Sequence, residues 1–289
     1  MSMHLRLPTL VRTHLAALRM FVAFTMLLGL AYPLFMVAVS RAPGLSGPAD
    51  GSLLRDPGGR LTGSSLLGQS FTDRAGTPLA RYFQPRPSVG GYDPRATGGS
   101  NLGPQSIVDA PGKPSLLTQV CRRSLASGQR DGVDPRRPYC TPDGVGAVLA
   151  VFRTGGTTGP VTRVVSVNQR CPATPFVSTF AGVPVRCTPA DTDSSAATLV
   201  PVRVAGGTSG AGRVPPDAVS ASASGIDPQI SPAYAEEQVS RVARARGLPE
   251  SVVRDLVRRY TRHRLLGFLG EPRVNVLRLN RALDHTYRR

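Results

Sequence analysis

The sequence lacks the motifs by which many nucleotide- and metal-dependent proteins are recognised. It has no GxxxxGK[ST] pattern between a strand and a helix, which excludes a P-loop phosphate cradle. It has no DKTG motif, so the chain is not itself a pump that is phosphorylated on that aspartate. Its four cysteines form no CxxC pair, and no histidine lies between them, which argues against a zinc site.

Histidine is scarce and stands in no catalytic context. The four histidines are His4, His14, His263 and His285, and none has a recognisable motif around it. A hydrolase needs a base within hydrogen-bonding reach of its nucleophile. The sequence therefore predicts no catalytic residue, no metal ligand and no tightly bound cofactor.

Lysine is almost absent, so arginine carries the basic charge. Lys113 is the single lysine in a chain whose formal net charge is +17. A basic surface suits nucleic acid or anionic lipid. The arginines are scattered and are not interleaved with aromatic residues, as a single-strand-binding platform would require. We therefore expect no nucleic-acid partner.

One long apolar run is present, at residues 20–39. A helix of these twenty residues is about 30 Å long, close to the thickness of the hydrocarbon core of a bilayer. Gly29, Tyr32 and Pro33 lie inside it and are the candidate contacts with a neighbouring membrane helix. A single span cannot line a selective pore alone, because a filter needs ligands from several segments.

Charge asymmetry predicts the orientation of this span. Arg6, Arg12 and Arg19 precede it without any acidic residue, so the N-terminus (residues 1–19) is expected in the cytoplasm and the main domain outside it. The expected location is the cell membrane, with a single pass. The alternative is a cleaved signal peptide, but its apolar region is usually about 7–15 residues long.

The remaining chain is expected to be α+β. Residues 40–104 and 215–289 are predicted to form one mixed extracytoplasmic domain, interrupted by a β-rich and partly disordered insertion at 105–214. Apolar runs predict strands at 145–152, 161–167, 176–180 and 198–204, and disorder is expected within 205–213. Residues 218–223 alternate apolar residues with serine and predict a strand. The run at 220–225 could instead bind a phosphate through hydrogen bonds from its serines and glycine.

Three helices are predicted near the C-terminus. Ser231 and Pro232 are typical of a helix start, and Gly247 is typical of its end. Glu237 and Arg241 are spaced as an i,i+4 ion pair on this helix. A second helix is expected after Pro249, and a third near Asn275.

All four cysteines, Cys121, Cys140, Cys171 and Cys187, fall inside residues 105–214. An even number of cysteines in an extracytoplasmic segment predicts disulfide bonds, here two. Three connectivities are possible, and local pairing of Cys121 with Cys140 and of Cys171 with Cys187 is favoured.

Five separate motifs resemble the C subunit of the Kdp potassium-transporting P-type ATPase. The apolar span with Gly29, Tyr32 and Pro33 is similar to the N-terminal anchor of that family. In chain order the motifs are DGSLL (50–54), GSSLLGQSF (63–71), YFQPRPSVGGYDPRATGGSNLGP (82–104), SASASGIDPQISP (220–232) and LGFLGEPRVNVLRLNRALD (266–284).

This resemblance implies a non-catalytic accessory subunit of an ATP-driven potassium-uptake complex. It implies the potassium-binding A subunit, the ATP-hydrolysing B subunit and the small F subunit as partners, together with the lipid bilayer. It further implies a role in assembly and a higher ATP affinity of the B subunit, so ATP enters only through the complex and no ATP-binding residue is identified. The alternative is a membrane-anchored cell-surface binding or hydrolytic protein with a disulfide-stapled module.

The polar motif at 82–104 supplies the candidate subunit-interface or scaffold residues. They are Arg86, Tyr92, Ser100 and Asn101, chosen because their surroundings are dense in turn residues and show no apolar pattern.

Overall fold

A computed structural model describes residues 8–156, 158–189, 194–204 and 213–287. The chain divides into two compact units, residues 1–66 and 67–289. The expected disorder within 205–213 falls outside the described residues, except at Arg213. The division of the chain at 104/105 and 214/215 stays a prediction.

The first unit begins with one long helical stretch. It consists of α1 (Thr9–Met26), a π-helical turn (Leu27–Ala31) and α2 (Tyr32–Ser40). Pro33 has no N–H and its ring would clash with the carbonyl of Gly29 in a regular helix, and the wider π turn just before it is a usual relief. Within the described part of the chain, this is the one helix long and apolar enough to span a membrane.

A short hairpin completes the first unit. After α3 (Ser46–Ala49), strands β1 (Leu53–Arg55) and β2 (Leu61–Ser64) pair antiparallel. Ser64 lies at the end of this hairpin, where its hydroxyl donates to the carbonyl of Gly51 over 2.6 Å.

The second unit contains a five-stranded sheet with the order β5-β6-β4-β3-β7. The β4–β6 pair is parallel and the other pairs are antiparallel. The strands are β3 (Val148–Arg153), β4 (Val161–Arg170), β5 (Thr179–Phe180), β6 (Val183–Thr188) and β7 (Thr198–Pro201). The sheet thus forms in the segment for which the sequence predicts strands.

Strand β3, which lies between β4 and β7, is covered on both faces, which explains its unbroken apolar run. Leu149 and Val151 pack with one cluster, which includes Val164. Val148 and Ala150 pack with another, which includes Leu117 of α4 (Leu116–Asp131).

Helix α4 was not predicted, because its buried face carries no apolar stripe. The side chains that it buries are small or polar, among them Thr118, Cys121, Ser124 and Ser127. Its start is marked by Ser115, whose hydroxyl accepts a hydrogen bond from the N–H of Thr118. Its end is marked by Gly132, with φ at +75°.

The C-terminal helices form where the sequence predicts them. They are α6 (Pro232–Arg246), α7 (Glu250–Tyr260) and α8 (Val276–Thr286), with Ser231 and Asn275 as N-caps and Gly247 as a left-handed C-cap. They enclose the main core together with Phe83, which is fully buried. A small sheet, β8-β10-β9, joins them through β8 (Gln229–Ile230), β9 (Thr261–Arg262) and β10 (Arg273–Asn275).

The strand predicted at 218–223 is wrong. Pro216 opens a short helix, α5 (Pro216–Val219), and an irregular segment follows it. Proline suits the first turn of a helix because its missing N–H is not needed there. Asp217 in this turn accepts hydrogen bonds from both the N–H and the hydroxyl of Ser231.

The cysteines pair locally. Cys121 is joined to Cys140, and Cys171 to Cys187. The first disulfide ties α4 to the segment that precedes β3, and the second ties the end of β4 to β6. Each therefore links neighbouring elements of the second unit.

Candidate functional site

The motif at 82–104 is the meeting point of segments that lie far apart in the sequence. The hydroxyl of Ser88 donates to the carbonyl of Gly225 over 2.7 Å. The N–H of Ser222 donates to the carbonyl of Pro87 over 2.8 Å. Asn280 of α8 accepts from the N–H of Phe83 and donates to its carbonyl, both over 2.9 Å.

Close backbone approach fixes glycine at two positions in this assembly. A Cβ on Gly225, whose φ is +74°, would lie 2.8 Å from the carbonyl oxygen of Gly98. A Cβ on Gly68 would collide with the ring of Tyr92 and would lie 2.7 Å from the carbonyl oxygen of Asp227. The motifs at 63–71, 82–104 and 220–232 therefore meet through shape as well as hydrogen bonds.

Arg86 and Tyr92 are brought together here. Arg86 donates to Asp227 over 3.4 Å and to the carbonyls of Ser220 and Ala221. The hydroxyl of Tyr92 donates to the carbonyl of Arg86 over 2.7 Å, and burial raises the pKa of this phenol. In this chain both side chains stabilise the contact between the loop and residues 220–227.

Ser100 and Asn101 form no hydrogen bond with Arg86 or Tyr92. Ser100 is half-buried, and Asn101 is exposed with φ at +52°. Asparagine tolerates this left-handed conformation better than most residues. The role of these two residues as subunit-interface or scaffold residues stays a prediction.

A cavity of about 240 Å³ opens beside Arg86 and Tyr92. Residues of the 82–104 motif form one wall, and α4 contributes Arg123, Ser127 and Arg130 to another. Arg123 donates to the carbonyl of Val219 and to Gln119, and burial lowers the pKa of its guanidinium.

A buried charge network lies under this cavity. Asp131 accepts from Nε of Arg241 over 2.6 Å and from Arg130 over 2.5 Å, and its side chain is fully enclosed. Burial lowers the pKa of Arg241, and the Asp131 carboxylate opposes that shift. The expected Glu237–Arg241 ion pair is therefore wrong, because Arg241 turns inward to Asp131 instead.

Glu237 takes a different place in the network. Its Oε1 accepts from the hydroxyl of Ser127 over 2.8 Å, whereas its Oε2 is enclosed and has no hydrogen-bond partner among the described residues. Burial raises the pKa of Glu237 to about 7; the Ser127 hydrogen bond opposes the shift and the charge of Asp131 adds to it.

Three buried polar residues were missed by sequence reasoning. Asp131 lies in a helix that was not predicted, whereas Gln238 and Asn280 occupy positions between the apolar residues of predicted helices. Gln238 accepts from the N–H of Gln84 over 2.6 Å, as Asn280 does from that of Phe83. The position of Gln238 and Asn280 among the apolar residues of predicted helices was the signal that could have identified them as buried polar residues.

The three histidines that the structure describes, His14, His263 and His285, lie in separate elements. His263 is exposed beyond α7, and His285 lies in the last turn of α8. Among the residues that the structure describes, no three His, Cys, Asp or Glu side chains are grouped to hold a metal ion.

Together, the apolar helix and the disulfide-bonded α/β domain define a membrane-associated protein whose motif residues organise its fold. The family model described as "K+-transporting ATPase, c chain" matches residues 14–126 and 190–285. The chain belongs to this family, the KdpC subunits of potassium-transporting ATPases.

Individual relatives agree with this assignment. The chain is 35% identical over 283 residues to the potassium-transporting ATPase KdpC subunit of Kineococcus radiotolerans, with 97% of each chain covered. It is 37% identical over 271 residues to that of Sorangium cellulosum, with 93% of this chain and 95% of the relative covered. It is 34% identical over 271 residues to that of Allorhizobium ampelinum, with 93% of each covered.

Proposed function

We propose that this chain is a non-catalytic accessory subunit that assists assembly of a potassium-uptake ATPase. The A, B and F subunits are its proposed partners, and the bilayer holds its N-terminal helix. The observation that carries the proposal is that residues of the family motifs have structural roles in this chain. Arg86, Tyr92 and Asn280 hold distant segments together instead of forming a nucleophile and base, which suits a subunit that presents a fixed surface.

The second unit is proposed to lie outside the cytoplasm. Two features support this orientation. Arg12 and Arg19 precede the apolar span without an acidic residue, and cytoplasmic flanks are rich in arginine. The two disulfides suit an oxidising compartment. Protease added to intact cells should then digest the second unit, whereas a protected domain would reverse the orientation.

Affinity purification tests the assembly role. A tagged chain extracted in mild detergent should bring the A and B subunits with it in stoichiometric amounts, and deletion of its gene should abolish growth at low potassium. Recovery of the tagged chain alone, with normal growth of the deletion strain, would contradict the proposal. A tagged unrelated single-span protein is the matched control for detergent carry-over.

A higher ATP affinity of the B subunit is the second part of the proposal. With the second unit outside the cytoplasm, such an effect requires a change that is transmitted across the membrane. The ATP concentration giving half-maximal hydrolysis should rise when the subunit is omitted from the purified complex. An unchanged value would leave assembly as the sole role.

A further inference from the structure

The loop between β9 and β10 exposes a cluster of large apolar side chains. Leu265 is 68% exposed, Leu266 75%, Phe268 69% and Leu269 48%. We call these four residues the apolar tip. Single exposed apolar residues are ordinary, but four within five positions mark a contact surface.

Four backbone N–H groups in the loop that carries the apolar tip find carbonyl acceptors within the loop. Leu265 and Leu269 exchange N–H to carbonyl bonds, each over 2.9 Å. The N–H of Gly267 donates to the carbonyl of Arg264, and that of Phe268 to the carbonyl of Leu265, each over 3.3 Å. These four amides need no water, so moving the tip into an apolar medium leaves none of them without an acceptor.

Arginine surrounds the base of the tip. Residues 258–273 contain five arginines and a single acidic residue, Glu271. Arg262, Arg264 and Arg273 are exposed next to the tip, and Arg264 pairs with Glu271 over 2.8 Å. An apolar end with a cationic rim matches the interface of an anionic bilayer, where apolar groups enter the acyl region and arginines meet the phosphates.

We propose that the apolar tip inserts into the interface of an anionic lipid bilayer. A protein partner is the weaker fit, because specific protein interfaces bury about 800 Å² on each side with complementary shape, and four protruding side chains offer less. The N-terminal helix keeps the domain close to the bilayer, so weak insertion suffices through effective concentration. Insertion would give the domain a second attachment to the membrane.

The absence of tryptophan from the chain makes the test direct. A Phe268→Trp variant of the full chain carries a single tryptophan and is reconstituted into vesicles of phosphatidylcholine and phosphatidylglycerol. Leu199→Trp is the matched control, because Leu199 on β7 is also an exposed leucine, at 40%. Quenching by brominated lipid should be several-fold stronger at position 268 than at position 199.

Two further arms define the limits of the proposal. Replacing phosphatidylglycerol with phosphatidylcholine should weaken the quenching at position 268. If Phe268→Trp does not fold, as judged by circular dichroism, Leu266→Trp replaces it.

Equal quenching at positions 268 and 199 would overturn the proposal. Shielding of position 268 that appears only when the other subunits are added would also overturn it, in favour of a protein partner.

Discussion

The side chains of Asp131 and Arg241 meet inside the second unit, where Nε of Arg241 donates to Oδ1 of Asp131 over 2.6 Å. The Asp131 side chain is fully enclosed and that of Arg241 is 8% exposed. Arg130 reaches the same carboxylate from within α4. One carboxylate thus compensates two guanidinium groups and joins α4 to α6.

Replacing Asp131 by Asn should strongly destabilise the second unit. Loss of one partner from a buried ion pair leaves an uncompensated charge and typically costs about 3–5 kcal/mol. Chemical denaturation followed by circular dichroism measures the change. Asp134→Asn is the matched control, because Asp134 pairs with Arg136 at the exposed surface. Equal stability of the two variants would show that the buried pair contributes little.

The raised pKa of Glu237 should make folding stability fall as the pH rises. In the unfolded chain the carboxyl loses its proton near 4.5, whereas burial raises the pKa of Glu237 in the folded protein to about 7. The stabilising effect of the protonated form is complete below pH 4.5 and is lost between pH 4.5 and 7.

Thermal denaturation across this pH range checks the contribution of Glu237. The Glu237→Gln variant should show a flatter dependence of Tm on pH than the unmodified chain between these two values. Glu236→Gln is the control, since Glu236 pairs with Arg254 at the surface. Parallel curves for the unmodified chain and Glu237→Gln would show that another group controls the dependence.

Removing either disulfide should destabilise the second unit to a similar extent. The two bridges join residues that are 19 and 16 positions apart. Loops of this size correspond to about 3 kcal/mol of stabilisation in the chain-entropy description. Cys121→Ser with Cys140→Ser, and Cys171→Ser with Cys187→Ser, are compared by denaturation under oxidising conditions. A double variant as stable as the unmodified chain would contradict this expectation.

Gly29→Leu should loosen the proposed complex while leaving membrane insertion intact. A Cβ at Gly29 would meet only Thr25 Cγ2, at 3.9 Å, so the helix itself accepts a side chain. Any requirement for glycine then comes from a neighbouring helix. Recovery of the A and B subunits with the tagged variant is the measurement, and Ala23→Leu is the control. Equal recovery of the A and B subunits with the two variants would show that the helix serves only as a membrane anchor.

The sequence predicts the elements whose signals are local. Ser231 and Asn275 mark helix starts and Gly247 marks an end, and each signal lies within one turn of the boundary that it sets. Strand β3 is buried on both faces, so its residues form a continuous apolar run, and this run at 145–152 predicts the strand. Helix α4 escapes prediction because the residues that it buries fully are small or polar, among them Thr118, Cys121 and Ser124.

Less of the candidate site could be predicted from the sequence, because the residues that contact each other there are far apart along the chain. Asp131 and Arg241 are separated by 110 positions, and Phe83 and Asn280 by 197. Nothing in the spacing of Glu237 and Arg241 reveals that Arg241 turns to a third residue. The composition of the motif at 82–104 predicts the region of the site, whereas the fold shows that Arg86, Tyr92 and Asn280 hold this motif in place.

The contact between Asn280 and Phe83 has a consequence for how the protein is made. Phe83 and Asn280 are 197 positions apart, so this contact cannot form before the ribosome has synthesised the chain as far as α8. Leu279 and Leu283 of α8 pack in the same core as Phe83, so that core stays incomplete until α8 is present. A variant that lacks α8 should expose this apolar surface and be degraded more readily in cells.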